Sequence, residues 1–303
     1  MHMQDIFAAH PTTLSFEFFP PKTDKGLAAL EQTLDELQPL KPAFIDVTYG
    51  AGGGTRDRTL DLVRKLHETR GLPIIPHMTT VCHQEHEVRE VIDHYHAWRI
   101  DNVLALSGDL PRDKPDYDRG QDAFRYAAQL VRWLREYNET HEHPNGRGFG
   151  IGVAGFPEGH HATQNRMDEL HHLKDKCDEG ADWICTQFCF DTPEILDWRE
   201  RLEVIGCKTP VLIGIMPITS YQMYQKLPEF GLGAKYPSDL MKQVEDHKDD
   251  DDAIMKIGIA WAIEQCRVLL EHHVRGLHFY TLNKPEATLA IYEALGLKQR
   301  VIA

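Results

Sequence analysis

The chain has 303 residues, 47 of them acidic and 33 basic, for a formal charge of −14. Its 42% hydrophobic and 26% charged content is that of a soluble globular protein, long enough for one large domain or two ordinary ones. The acidic balance argues against a nucleic-acid backbone or an anionic membrane as partner, and no run approaches the ~20 apolar residues that span a bilayer.

The opening MHMQDIFAAHPTT lacks the basic start and apolar core of a secretory leader. The first β-rich run is Thr13–Pro20. Its LSFEFFPP segment sets Glu17 among Leu14, Phe16, Phe18 and Phe19. A buried carboxylate is costly unless it is paired or neutral. Glu17 is therefore either a satisfied core carboxylate or an acid kept protonated by apolar surroundings. Seven more runs follow: Ala43–Gly50, Leu72–Thr80, Asn102–Gly108, Gly148–Pro157, Asp182–Phe190, Thr209–Pro217 and Gly276–Asn283. Between them lie segments with helical spacing. Leu30, Leu34 and Leu37 share one face, as do Leu60, Leu62, Val63 and Leu66. Glu87–Trp98, Gln121–Tyr137, Asn165–Glu179 and Pro193–Ile205 read as helices too, and Gly71, Gly180 and Gly206 stand where left-handed caps would end them. Eight strand–helix units predict a single α/β domain over 1–303, a parallel (β/α)8 barrel. The long interval from Tyr221 to Val274 must hold extra helices between strands seven and eight. Within it, EDHKDDDDA is expected to be an acidic loop whose last Asp caps a helix starting near Ala253, rather than a metal loop.

In such a barrel the site is built at the carboxyl ends of the strands. Read in order, those ends offer Glu17; Thr48 and Tyr49, before a glycine-rich loop; His77 and Thr79; Ser107, Gly108 and Asp109; Ala154, Phe156, Glu158 and His160; Gln187 and Asp191; Met216; and Tyr280, Asn283 and Lys284. Each alone has a structural explanation, but together they gather at one mouth. Gln187 inside an apolar strand must find hydrogen-bond partners. The six cysteines, Cys82, Cys177, Cys185, Cys189, Cys207 and Cys266, are scattered, which suits reduced thiols in a cytoplasm. Cys185 and Cys189 are expected to share a strand face as packed thiols, and no His/Cys spacing predicts a metal.

The motifs SFEFFPPKT, DVTYGAGG, PHMTT, NVLALSGDLP, VAGFPEGH, DEGADWICTQFCFD, GIMPITSY and HFYTLNK follow in an order that resembles the methylenetetrahydrofolate reductases, from about Leu14 to Gly296. The resemblance is to the catalytic barrel, without an S-adenosylmethionine-binding regulatory domain. It implies reduction of 5,10-methylenetetrahydrofolate to 5-methyltetrahydrofolate, with FAD carrying hydride from NADH or NADPH. Opening the N5–N10 ring needs a general acid at neutral pH, and the resemblance places it on Glu17, which an apolar strand would keep protonated. Asp109 matches the residue that holds the pterin and steadies a cationic intermediate, and Gln187 a two-way hydrogen-bonder for the pterin. Thr48, Tyr49, Ala51, His77, Gly108, His160, Glu169 and Lys176 match positions that line the flavin; Ser107, Asp109 and Phe156 fall in the same motifs. Lys284 falls where a basic residue meets the folate glutamate tail, and Tyr221 and Leu227 where a loop covers the second substrate. The resemblance also implies a homo-oligomer.

Four departures from the family pattern lie on the flavin side. Ser107 stands where an arginine is usual, Phe156 where a tyrosine is, and Glu169 where aspartate is common; His171 and His172 occupy an often basic or apolar stretch. They motivate a second reading, direct hydride transfer from nicotinamide to folate without flavin. A third is a barrel lyase or a folate-binding protein that does not reduce.

Overall fold

Eight parallel strands close into a barrel in which each strand pairs with its neighbours in sequence, β1 joining β8. The computed structural model describes residues 1–50, 56–111, 116–231 and 233–297. The strands are β1 Thr13–Phe18, β2 Phe44–Val47, β3 Ile74–Thr79, β4 Asn102–Leu106, β5 Gly150–Gly155, β6 Trp183–Thr186, β7 Val211–Ile215 and β8 Gly276–Tyr280. Each lies inside a run marked by the sequence but stops short of its end. The polar residues at the ends have left the ladder and line the mouth.

The helices that surround the barrel are α2 Asp24–Leu37, α3 Arg56–Arg70, α4 Glu85–Ala97, α5 Ala127–Thr140, α6 Arg166–Asp178, α7 Thr192–Val204 and α11 Glu286–Leu295, with α8 Tyr221–Phe230, α9 Ser238–Glu245 and α10 Asp251–Glu271 between β7 and β8. Alternation along a strand sends successive side chains to opposite faces. Leu14, Phe16 and Phe18 of β1 therefore join the core under the helices, Phe16 packing on Phe279 and Tyr292 with ring centroids 6.1 and 5.5 Å away. Ser15 and Glu17 point into the barrel.

The floor of the barrel is apolar. Phe44, Ile75, Leu104, Trp183 and Leu212 cluster with Met3 and Ile6 of α1, Met3–Ala9. Gly152 makes the room: a Cβ there would lie 2.3 Å from the Trp183 ring. Helix α1 was not expected, because seven residues form no stable helix alone. It is held by tertiary contacts: Met3 N donates to Asn102 Oδ1 at 2.7 Å, and Met3 and Ile6 are fully buried.

Three expectations need correction. Helix α5 begins at Ala127, six residues after Gln121, because Gln129 Oε1 accepts from the backbone of Arg125 and Tyr126 and fixes the start there. The cap of α10 is Asp250, which accepts from Ala253 N at 3.0 Å; Asp251 and Asp252 fall within the first turn, where they favour the helix dipole. Cys185 and Cys189 do not share a face: β6 ends at Thr186, so Cys185 points into the barrel and Cys189 packs in the outer core. Gly71, Gly180 and Gly206 adopt positive φ as their cap positions require. Among the described residues no helix is long and apolar enough to cross a membrane.

Candidate active site

At the carboxyl ends of the strands lies a cavity of about 720 Å³. Strand ends supply most of its wall: Glu17 from β1, Thr48 and Tyr49 beyond β2, His77 from β3, Ser107, Gly108 and Asp109 beyond β4, Phe156 and His160 beyond β5, and Gln187 beyond β6, with Lys176 reaching in from α6. The sequence named all of these. Leu227 also lines the cavity. Glu169, Tyr221 and Lys284 do not reach it. Glu169 is buried on α6, Tyr221 donates its hydroxyl to Glu245 at 3.1 Å, and Lys284 is exposed beyond β8. Ala51 and the glycines after it lie outside the described residues.

Glu17 does not sit in the apolar wrap that its neighbours in sequence suggest. Those neighbours face the helices, and the company of Glu17 inside the barrel is polar. His77 Nε2 lies 3.6 Å from Glu17 Oε2 and 3.5 Å from Asp46 Oδ2; His278 Nε2 lies 3.8 Å from each of the same two oxygens. Strand pairing creates this box. Glu17 is the register partner of Asp46 on one side, and Ser15 is that of His278 on the other. His278 is fully buried and its Nδ1 meets Ser15 Oγ at 2.8 Å. Burial disfavours the imidazolium, yet the Cys185 sulfur and the carboxylates of Glu17 and Asp46 outweigh it and raise the His278 pKa well above the ordinary histidine range. Burial also pushes the Cys185 thiol up, so it acts on His278 as a hydrogen-bonding sulfur rather than as a charge. Among the described residues no group of three or more His, Cys, Asp or Glu side chains could hold a metal ion.

On the opposite wall, Lys176 is a half-buried cation. Its Nζ donates to Ala154 O at 2.6 Å and stands 5.8 Å from the centre of the Phe156 ring. Burial pulls its pKa down, with the nearby Glu169 opposing. His160 packs edge-on against Phe156, centroids 4.9 Å apart, and burial lowers its pKa too. Ser107 leaves the end of β4 without a side-chain charge. A guanidinium does stand there, from Arg119, but it is spent on structure: Nη2 donates to Thr80 Oγ1 at 2.8 Å and to Ser107 O at 3.1 Å, and Nε to Asp122 at 2.9 Å. The cavity is of cofactor size, has apolar walls at Leu104, Leu106, Phe156 and Met216, and among the described residues is lined by one lysine, the half-buried Lys176. These features fit a large planar anionic cofactor such as a flavin nucleotide.

Asp109 is exposed at the mouth. Gln187 meets the need of its amide locally: Oε1 accepts from Phe188 N at 3.0 Å, and Nε2 approaches Phe230 O at 3.5 Å. Phe230 ends α8, so Gln187 touches the cover formed by α8 and α9. That cover has its own core of Phe188, Phe190, Tyr224, Leu227, Leu240 and Val244. It is tied to the β5 loop by Glu158, whose carboxylate accepts from Lys235 N at 3.2 Å. Tyr49 is also anchored: His83 Nδ1 donates to Val81 O at 2.7 Å, leaving Nε2 to accept from the Tyr49 hydroxyl at 2.9 Å.

Sequence reasoning missed Asp46, His278, His83 and Arg119. For Asp46 a signal was present, since FIDV embeds a carboxylate in an apolar strand as SFEF does. His278 inside LHFY carries the same mark. For His83 and Arg119 nothing in the local sequence distinguishes them from surface residues.

The sequence profile described as methylenetetrahydrofolate reductase matches residues 2–296. The 5,10-methylenetetrahydrofolate reductase of Escherichia coli (strain K12) is 34% identical over 288 residues, covering 94% of this chain and 91% of its own length. Methylenetetrahydrofolate reductase 1 of Schizosaccharomyces pombe is 34% identical over 293 residues, covering 96% of this chain but 47% of its own, so the chain spans about half the length of that relative. Among solved structures, an uncharacterized protein from Clostridium thermocellum that binds two copies of 5-methyl-5,6,7,8-tetrahydrofolic acid matches with a TM-score of 0.64 over 99% of both chains. At 13% identity that likeness is one of fold.

Proposed function

The chain belongs to the methylenetetrahydrofolate reductase family, and from that premise we propose that it reduces 5,10-methylenetetrahydrofolate to 5-methyltetrahydrofolate with electrons from NADH or NADPH through bound FAD. The observation that carries this reading is that Glu17, Asp109 and Gln187 line one cavity with Thr48, Tyr49, His77, His160 and Lys176. The folate-binding neighbour of the same fold is consistent with a folate ligand in the barrel mouth.

Thr48, Tyr49, His77, His160 and Lys176 would hold the cofactor, Lys176 supplying positive charge to an anionic group. When bound, FAD supplies a store for the hydride that NAD(P)H gives and folate takes. The protein's own chemistry is proton transfer and placement. Glu17 gives a proton to N10; the N10–CH2 bond breaks and the lone pair of N5 forms an iminium with the same carbon, which then accepts hydride. Asp109 meets the positive charge that develops on the pterin. Gln187 turns from Phe230 to the pterin edge, exchanging a long contact at 3.5 Å for direct hydrogen bonds. Glu17 is recharged from solvent or from the polar box behind it.

The visible spectrum of the purified protein tests the cofactor. The expected result is a flavin band bleached by NAD(P)H under argon and restored by methylenetetrahydrofolate. Ser107 and Phe156 favour a second reading, direct transfer from nicotinamide. A colourless preparation, active without added FAD and giving intersecting initial-rate plots, would establish that reading. Folate binding without nicotinamide oxidation would leave only a binding protein.

A further inference from the structure

Asp46 carries a carboxyl group that the reaction above does not use and the barrel does not satisfy. Its side chain is 1% exposed, and neither oxygen has a hydrogen-bond partner. The Nε2 atoms of His77 and His278 are equally buried and equally unpartnered. These orphaned atoms face one another across 3.5 and 3.8 Å, and each imidazole nitrogen stands between the same two carboxylates. Pairs of polar atoms left this far apart in a buried site are spaced for short proton transfers through a water or a small side-chain shift.

A buried cluster tends to net neutrality, because an uncompensated charge there is costly. Two carboxylates and two imidazoles are neutral when two protons occupy the four sites. Without Asp46, neutrality would need one. The geometry points to Asp46 as a positioning residue that keeps a second proton inside the barrel, on His278 or His77, and so recharges Glu17 after it has protonated folate. The inference rests on the reading of Glu17 as the general acid. The steps balance: the Glu17 O–H bond breaks as N10–H forms, then the imidazolium N–H bond breaks as Glu17 O–H re-forms, and solvent later restores the imidazolium. No electrons move beyond the hydride that the reaction already uses.

The other groups around the box do not compete for the role. Cys185 from β6 stays a thiol and Ser15 from β1 is neutral on Nδ1 of His278. Tyr280 from β8 is half-buried, held in its neutral form and donates to Thr186 O at 2.7 Å. Asp46 is thus the one carboxyl group, apart from Glu17 itself, within the contacts described for the two imidazoles.

Asp46→Asn keeps the shape and removes the charge. In that variant the alkaline limb of the pH profile for methylenetetrahydrofolate reduction should move down by about one unit or more, and Asp46→Glu should bring it back. Quinone reduction by NAD(P)H in the same preparation, which takes no proton from Glu17, corrects for any general loss. A limb that coincides with that of the wild type overturns the proposal, as does an equal loss in both reactions at every pH. If Asp46→Asn does not fold, ¹⁵N-histidine NMR of the wild type decides. At about pH 8, above the ordinary histidine range, a protonated imidazole in the barrel supports the proposal and two neutral ones refute it. A wild-type protein that does not reduce methylenetetrahydrofolate at all would instead remove the functional reading on which this one rests.

Discussion

The floor and the middle of the barrel are built by the same strands and the same inward-facing parity, yet their chemistry is opposite. On β2, Phe44 closes the floor and Asp46, two residues on, stands in the polar box. On β3 the same step separates Ile75 from His77. The floor has α1 pressed into it and its cluster is apolar; the box leaves Asp46, His77 and His278 with unsatisfied buried atoms. A stable barrel needs the first arrangement and is weakened by the second, since unpaired buried polar groups cost free energy. On the proposed mechanism the box serves proton transfer rather than stability.

That contrast can be broken from either side. The largest effect is expected from Glu17→Gln, which should lower methylenetetrahydrofolate reduction at least ~10⁴-fold while the variant still folds and still oxidises NAD(P)H with a quinone. Single-turnover kinetics of the two half-reactions checks this, and near-normal folate turnover would refute the role of Glu17. Next comes Trp183→Ala in the floor. It removes the largest fully buried side chain and should cost about 3–5 kcal/mol of stability, seen as a lower urea midpoint, with both half-reactions declining together. A selective loss of folate turnover in that variant would erase the division between floor and box.

The smallest effect concerns pH. The pKa of His278 is raised in the folded protein. The stability it contributes is thus fully present below the unfolded histidine value of about 6.5 and is lost as pH rises toward the folded value. The urea midpoint of the wild type should fall above neutral pH, and His278→Gln should shrink that fall. An unchanged slope would show that the imidazolium is not held by the box.

Much of the fold was legible because its signals are local. Eight apolar runs alternate with helical spacing, and all eight became strands. Helix α1 was invisible because its stability comes from Asn102 and the barrel floor, not from its own seven residues. The start of α5 depended on one side chain, Gln129, folding back on two backbone amides. The mouth residues were legible by rank alone, since a barrel puts strand ends at one rim. Tyr221 and Lys284 show the limit of that rule: both lie near the rim in sequence, but one is turned into the cover and the other out to solvent.

The sequence by itself determined the family and the order of the eight strands, and it singled out Glu17 as the proposed acid, because each of these is written in patterns a few residues long. The surroundings of that acid were decided only by tertiary structure. Strand alternation turns Phe16 and Phe18 away from Glu17, and closure of the barrel brings positions 46, 77 and 278 to its side. Residues so far apart along the chain meet only when the first strand pairs with the second and the last.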